Sequence, residues 1–272
     1  MMEAIAINDL SDSRRSMHHF AHRRRSGRNA RCAMGNSAGR AVVLGGSSGI
    51  GLATVRRLVD AGHEVIATGR DADKLRASLA DIQGAVRHEA FDGTQRESLD
   101  RFFSSVGTID HLVIALSGGD GAGHFQELDL LALRRGFEAK FWPHVQAVQA
   151  ALPTLRKGGS VTFLTSISAR IANPGTSGLA AINGAIEAMV PVLARELAPT
   201  RVNAVSPGVV ETPWWNAMPE EARRQFFASH ASELPVGRIG QPDDVAQAVA
   251  YLVGNGYTTG SVLECDGGLH LL

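Results

Sequence analysis

The residues best suited to chemistry fall into two groups. The first opens at GGSSGIG (45–51), directly after the apolar run RAVVL (40–44). Gly45, Gly49 and Gly51 lack the Cβ atoms that would hold a pyrophosphate away. With Ser47, Ser48 and Ile50 they open a helix whose free amides and positive dipole end face the same point. The spacing G-x-x-x-G-x-G departs from the common G-x-G-x-x-G, and such a turn also suits an ordinary strand-to-helix loop. Its place after the first strand of an alternating chain is what points to a dinucleotide. The next apolar run, EVIAT (64–68), leads into Gly69 and Arg70, where an NAD site would carry a carboxylate for the ribose hydroxyl. Arg70 matches a 2′-phosphate, so NADP(H) is expected ahead of NAD(H); the other reading is a solvated arginine at a strand end. Asp92, in EAFDGT, is placed to meet the adenine amino group.

The second group is sparser. VTFLTS (161–166) closes on hydroxyls, with Ser166 at its end and Ser168 just beyond. The alanine-rich run TSGLAAINGAIEA (176–188) follows, and only Glu187 in it titrates.

The elements that must position these residues are legible from periodicity. RAVVL, EVIAT, HLVIAL (111–116), SVTFLT (160–165), RVNAVS (201–206) and SVLEC (261–265) read as strands, and AVRHEAF (85–91) carries the same pattern less fully. Continuous apolar strands imply a sheet covered on both faces. Between them lie segments with apolar residues at helical spacing, including one long helix from about 126 to 155 and another from about 177 to 197. The expected fold class is α/β: a single-domain, Rossmann-type, doubly wound parallel sheet of about seven strands with helices on both faces, over residues 40–272.

Residues 1–39 are a different material. Seven arginines stand there against Glu3, Asp9 and Asp12, a net of +4 within a chain whose formal charge is zero. Nucleic-acid binding through its clustered Arg and His is one reading, a solvated and disordered tail the other, and the second is expected. Met34 offers a second translation start. Cys32 and Cys265 lack the spacing of a zinc site or a disulfide framework, which fits a reducing, cytoplasmic compartment. No apolar run reaches the roughly 18 residues of a membrane span. No metal, nucleic acid or membrane is expected as a partner.

From residue 40 onward the chain resembles the short-chain dehydrogenase/reductase family. The resemblance rests on VVLGGSSGIG, ATGRDADKL, FDGT, IDHLV, RVNAVSPGVVETP (201–213), PVGRIGQPDDVAQAVAYL (235–252) and the closing DGG (266–268). It implies that Pro207, Gly208, Val210 and Thr212 hold the nicotinamide end of the cofactor. It also implies a substrate lid near 213–234, where Trp214, Trp215, Met218, Phe226 and Phe227 either line a pocket for a small apolar or aromatic substrate or simply pack. A homodimer or homotetramer built on the two long helices is implied as well.

The family's chemistry is hydride transfer assisted by Ser, Tyr, Lys and Asn. Ser166 matches the serine. Leu179 and Asn183 stand at the tyrosine and lysine positions, and Lys140, in GFEAKFW, stands at the asparagine position. The only tyrosines, Tyr251 and Tyr257, lie far along the chain. Three readings follow. Lys140, turned inward beside Leu179 and Asn183, replaces the acid, unless it is a surface charge on an amphipathic helix. Alternatively, reduction of an activated alkene needs no strong acid and draws on His124. The last reading is a catalytically inactive NADP(H)-binding sensor or structural partner.

Overall fold

The computed structural model describes residues 39–272, so the Arg-rich tail, with Cys32 and Met34, lies outside the described residues. Seven strands form one parallel sheet: β1 (Arg40–Leu44), β2 (Glu64–Gly69), β3 (Val86–Ala90), β4 (Ile109–Ile114), β5 (Leu155–Leu164), β6 (Arg201–Pro207) and β7 (Val262–Cys265). Their order is β3-β2-β1-β4-β5-β6-β7. The helices are α1 (Gly49–Asp60), α2 (Ala72–Leu79), α3 (Arg96–Val106), α4 (Leu130–Gly136), α5 (Trp142–Ala151), α6 (Ser177–Glu196), α7 (Glu220–Glu233) and α8 (Pro242–Gly254).

The two-residue period of a strand explains why both faces are covered. Val42 and Leu44 of β1 point to a core completed by Leu99, Phe102 and Phe103 of α3, Ala147 of α5 and Ile186 and Val190 of α6. Ala41 and Val43 point the other way, to Val55 and Leu58 of α1, Leu75 of α2 and Val245 and Val249 of α8. Phe102, Phe103 and Phe163 are essentially sealed from water, and each contributes about 1.5–3 kcal/mol by burial. β3 is the exception: Arg87, His88, Glu89 and Ala90 are exposed because it is an edge strand, which is why its pattern is fainter in sequence.

The long helix expected from about 126 to 155 is interrupted. A 3-10 turn (Phe125–Glu127) precedes α4, and a π-helical turn (Phe137–Phe141) separates α4 from α5. Pro143 gives the reason: it has no N–H to offer the carbonyl four residues back, and the widened turn absorbs the missing bond. Lys140 rides on that turn. β5 begins at Leu155, five residues before the strand expected at 160. α6 passes for a membrane span by length and composition, contrary to expectation. Its inner face, with Ile182, Ile186 and Val190, is buried, and the last two belong to the core beneath the sheet.

Strand order reverses between β1 and β4, and in such a sheet the crevice at the carboxyl ends of those strands is the usual ligand position. The turn after β1 fits into this crevice only without side chains. Gly45 has φ of 85°, and a Cβ on Gly51 would stand 2.0 Å from the Gly45 carbonyl oxygen. Gly51→Ala is therefore expected to cost about 1–3 kcal/mol in urea unfolding; an unchanged midpoint would show that the turn can open without strain.

Candidate functional site

The glycine-rich turn presents a phosphate cradle. Gly49 has φ of 54°, and Ser48, the N-cap of α1, makes no side-chain cap. The first bond of this helix runs from Leu52 N–H to the Ser48 carbonyl, so the amides before it have no partner within the helix. A Cβ on Gly49 would meet the Thr212 side chain at an ordinary 3.4 Å, which brings the segment after β6 against the turn. Ser47 lies beside Gly69 at the end of β2, next to exposed Arg70. Burial alone would raise the Asp92 carboxyl, but hydrogen bonds from Thr94 and the charge of Arg70 outweigh it and hold the group below the usual carboxylate range. Arg70 and Asp92 thus share one corner of the crevice. Gly208 is pressed against Asp266 of the DGG turn, and Val210 bridges to Gly240. Small residues and free amides of this kind suit close approach of a dinucleotide.

Across the crevice, the end of β5 carries the charged part of the site. Lys140 is half-buried, and its Nζ donates to the Thr165 carbonyl at 3.2 Å. Burial pushes the ammonium down to about 8, against the opposing pull of Glu187. The Thr165 hydroxyl donates to Glu187 Oε1 at 2.7 Å, and the Ser206 hydroxyl donates to the same oxygen at 3.0 Å. Arg170 Nε donates to Glu187 Oε2 at 2.9 Å, while its Nη1 donates to Glu264 Oε1 at 2.9 Å. Sequence reasoning placed Lys140 beside Leu179 and Asn183. In the structure its ammonium donates to the Thr165 carbonyl and feels the charge of Glu187, one helical turn beyond Asn183. The signal was present in the sequence, since Glu187 is the sole titratable residue of its run, but the partner strand could not be read from it.

Other predicted residues divide. Ser166 caps the 3-10 turn Ile167–Ala169, its Oγ accepting from Ser168 N–H at 3.3 Å. Asn183 is buried and spends its amide on Ser168 Oγ at 3.3 Å and on the Leu179 carbonyl at 2.9 Å. His124 is exposed in the loop after β4. In the lid, Trp215 packs against Phe226 and Phe227 and donates Nε1 to the Val210 carbonyl, so these aromatics are largely mutual packing. Trp214 alone reaches across the crevice, its Nε1 donating to the Gly118 carbonyl at 3.4 Å. His144, missed in the sequence, is sealed one turn beyond Lys140 and donates Nδ1–H to the Lys140 carbonyl at 2.7 Å. Burial, with the Lys140 charge, pushes its pKa down to about 3, so it stays neutral and braces the π turn.

A doubly wound sheet with a glycine turn at its switch point, and a charged cluster opposite, defines a Rossmann-type nucleotide-binding architecture. Residues 45–270 match the family described as enoyl-(acyl carrier protein) reductase. The putative ketoacyl reductase 2 of the granaticin polyketide synthase of Streptomyces violaceoruber is 32% identical over 85% of this chain and 96% of its own length. The NADPH-bound short chain oxidoreductase of Pseudomonas aeruginosa PAO1, described as containing an atypical catalytic center, is 31% identical with a TM-score of 0.79, covering 86% of this chain and 97% of that one. A small-chain dehydrogenase solved in complex with NADPH is 33% identical with a TM-score of 0.75, covering 86% and 99%. The chain belongs to the short-chain dehydrogenase/reductase family.

The buried ammonium has an energetic signature. A pKa lowered from 10.5 to about 8 costs the fold on the order of 3 kcal/mol at neutral pH, at about 1.4 kcal/mol per pH unit. The folded state binds fewer protons than the unfolded one between those values, so stability rises as pH climbs from about 8 toward 10.5. Lys140→Met is expected to melt higher at pH 7 and to lose that rise, both readable by thermal denaturation across pH. A lower melting temperature at pH 7 would mean that the contacts of Lys140 outweigh its desolvation.

Proposed function

We propose that this chain is an NADP(H)-dependent oxidoreductase with a non-standard proton donor, acting on a carbonyl or alcohol carbon or an activated alkene. The observation that carries the reading is the Lys140 ammonium, held against the Thr165 carbonyl one residue before Ser166, with a pKa of about 8. A lysine so tuned is partly deprotonated near neutral pH and can give up and regain a proton. NADPH, when bound, supplies the hydride. Gly45, Ser47, Ser48, Gly49, Ile50 and Gly51 would cradle its pyrophosphate, Arg70 would meet its 2′-phosphate and Asp92 its adenine amino group, and Pro207, Gly208, Val210 and Thr212 would hold its nicotinamide end. Ser166 Oγ holds the substrate oxygen. Lys140 Nζ transfers a proton to that oxygen as it becomes an alkoxide, and the neutral amine then takes a proton from solvent. Leu179 and Asn183 leave the usual Tyr and Lys positions of the family without an acid, which is why the role falls to Lys140. The related Pseudomonas protein described as having an atypical catalytic center supports departures of this kind within the family.

A second reading, an NADP(H) binder without turnover, is favoured by the same two positions. Leu179 is apolar, and Asn183 is committed to Ser168 and its own helix. By resemblance the chain also forms a homo-oligomer, and exposed Trp142 on α5, Leu152 just after it and Val192 on α6 support that.

Turnover of NADPH with ketones, quinones and enones tests the reading. Reduction is expected to decline as pH rises through about 8, as the donor loses its proton. Lys140→Ala and Ser166→Ala should each lower kcat by about 100-fold or more. Activity that survives both changes would remove the assigned roles, and tight NADPH binding without turnover on any substrate would leave the binder. Arg70→Ala should weaken NADPH by about 10-fold while leaving NADH unchanged; equal effects on the two would remove Arg70 from the phosphate.

A further inference from the structure

Four charges run in alternating sign from the crevice to the surface. Lys140 on the π turn is followed by Glu187 on α6, then by Arg170 after β5, and last by Glu264 on β7. Thr165 joins the first two, since its carbonyl accepts from Lys140 Nζ and its hydroxyl donates to Glu187 Oε1. Its N–H is held by the Val205 carbonyl at 2.9 Å, so the residue cannot turn without losing bonds on every side. Glu187 is 9% exposed and receives three donors, from Thr165, Ser206 and Arg170. A carboxylate in such a place is expensive to bury unless its charge is used by neighbours.

We propose that Glu187 is a positioning residue for Lys140, serving as its counter-ion through Thr165, and that Arg170 sets how much of the Glu187 charge Lys140 feels. This rests on the reading of Lys140 as proton donor and deepens it. The groups that face the pair are few. His144 on α5 stays neutral beside the Lys140 carbonyl. Ser206 on β6 and Arg170 meet Glu187, and behind Arg170 stands Glu264, 3.6 Å from His270 Nε2. The carboxylate of Glu187 favours the protonated lysine, while Arg170 draws part of that field toward the surface. Its side chain is about one-third exposed, so the tuning cation is reachable from solvent.

The chain has only three lysines, Lys74, Lys140 and Lys157, which makes a direct titration practical. With lysine labelled by 15N at Nζ in the full chain, the midpoint of Lys140 is expected at about 8, with exposed Lys74 and Lys157 as internal references. In Glu187→Gln it should fall by roughly one pH unit, and Glu187→Asp should bring it back toward the wild type. Arg170→Gln, at the more exposed position, should move it upward, and this variant carries the test if Glu187→Gln does not fold. A Lys140 midpoint unmoved in Glu187→Gln, or unmoved or lowered in Arg170→Gln, would overturn the proposal whatever turnover shows. Should the midpoint shift as expected while Lys140→Ala keeps full turnover, the counter-ion pairing stands and the proton-donor role falls. With both correct, the decline of turnover at high pH moves with the measured midpoint in each variant.

Discussion

A carboxylate buried at the end of a parallel sheet must be met by donors, and that demand on Glu187 organises the site. Thr165 directly follows β5, Ser206 lies in β6, and Arg170 follows the turn that Ser166 caps. One side chain on α6 therefore ties together two strands, a helix and a turn that are far apart in sequence. The π turn joins the same assembly because Lys140 reaches the Thr165 carbonyl. Without Glu187 the Ser206 hydroxyl and Arg170 Nε would lose the acceptor they share, and without its donors the Glu187 charge would be stranded in a low-dielectric interior.

A second constraint places this assembly opposite the glycine turn. Reversal of strand order between β1 and β4 leaves the carboxyl ends of both strands uncovered, and the chain fills that gap with segments free of bulky side chains. Free backbone amides come from the turn after β1, while polar side chains come from the ends of β5 and β6. The crevice thus has one wall of backbone dipoles and another of buried charge. Trp214, reaching from the lid to the Gly118 carbonyl, spans the opening between them.

Much of this was legible in the residues. The alternation of apolar strands and amphipathic helices gives the sheet and its two covered faces, because burial on both sides demands continuous apolar runs. Gly45, Gly49 and Gly51 read as positions kept bare for a pyrophosphate; in the structure Gly45 and Gly49 adopt left-handed backbone and a Cβ on Gly51 would strike the Gly45 carbonyl. The long helix read as continuous is broken at Phe137–Phe141 because Pro143 withdraws one hydrogen bond, and a pattern of apolar spacing does not register a single missing N–H. Apparent membrane-spanning character in α6 was likewise missed, since Asn183 and Glu187 interrupt the apolar run yet lie on its buried face. Glu187 was visible only as a lone acid, and His144 not at all.

Local chemistry by itself determined the class of this chain: strand and helix follow from periodicity, and the glycine turn follows from the steric needs of close backbone approach. Only the tertiary structure decided how Lys140 is used. Its partners, Thr165, Glu187 and Arg170, sit 25, 47 and 30 residues away. Whether a lysine is a solvated surface charge or a desolvated acid depends on the dielectric and the charges around its nitrogen. Those are set by strands and helices that meet only when the sheet closes.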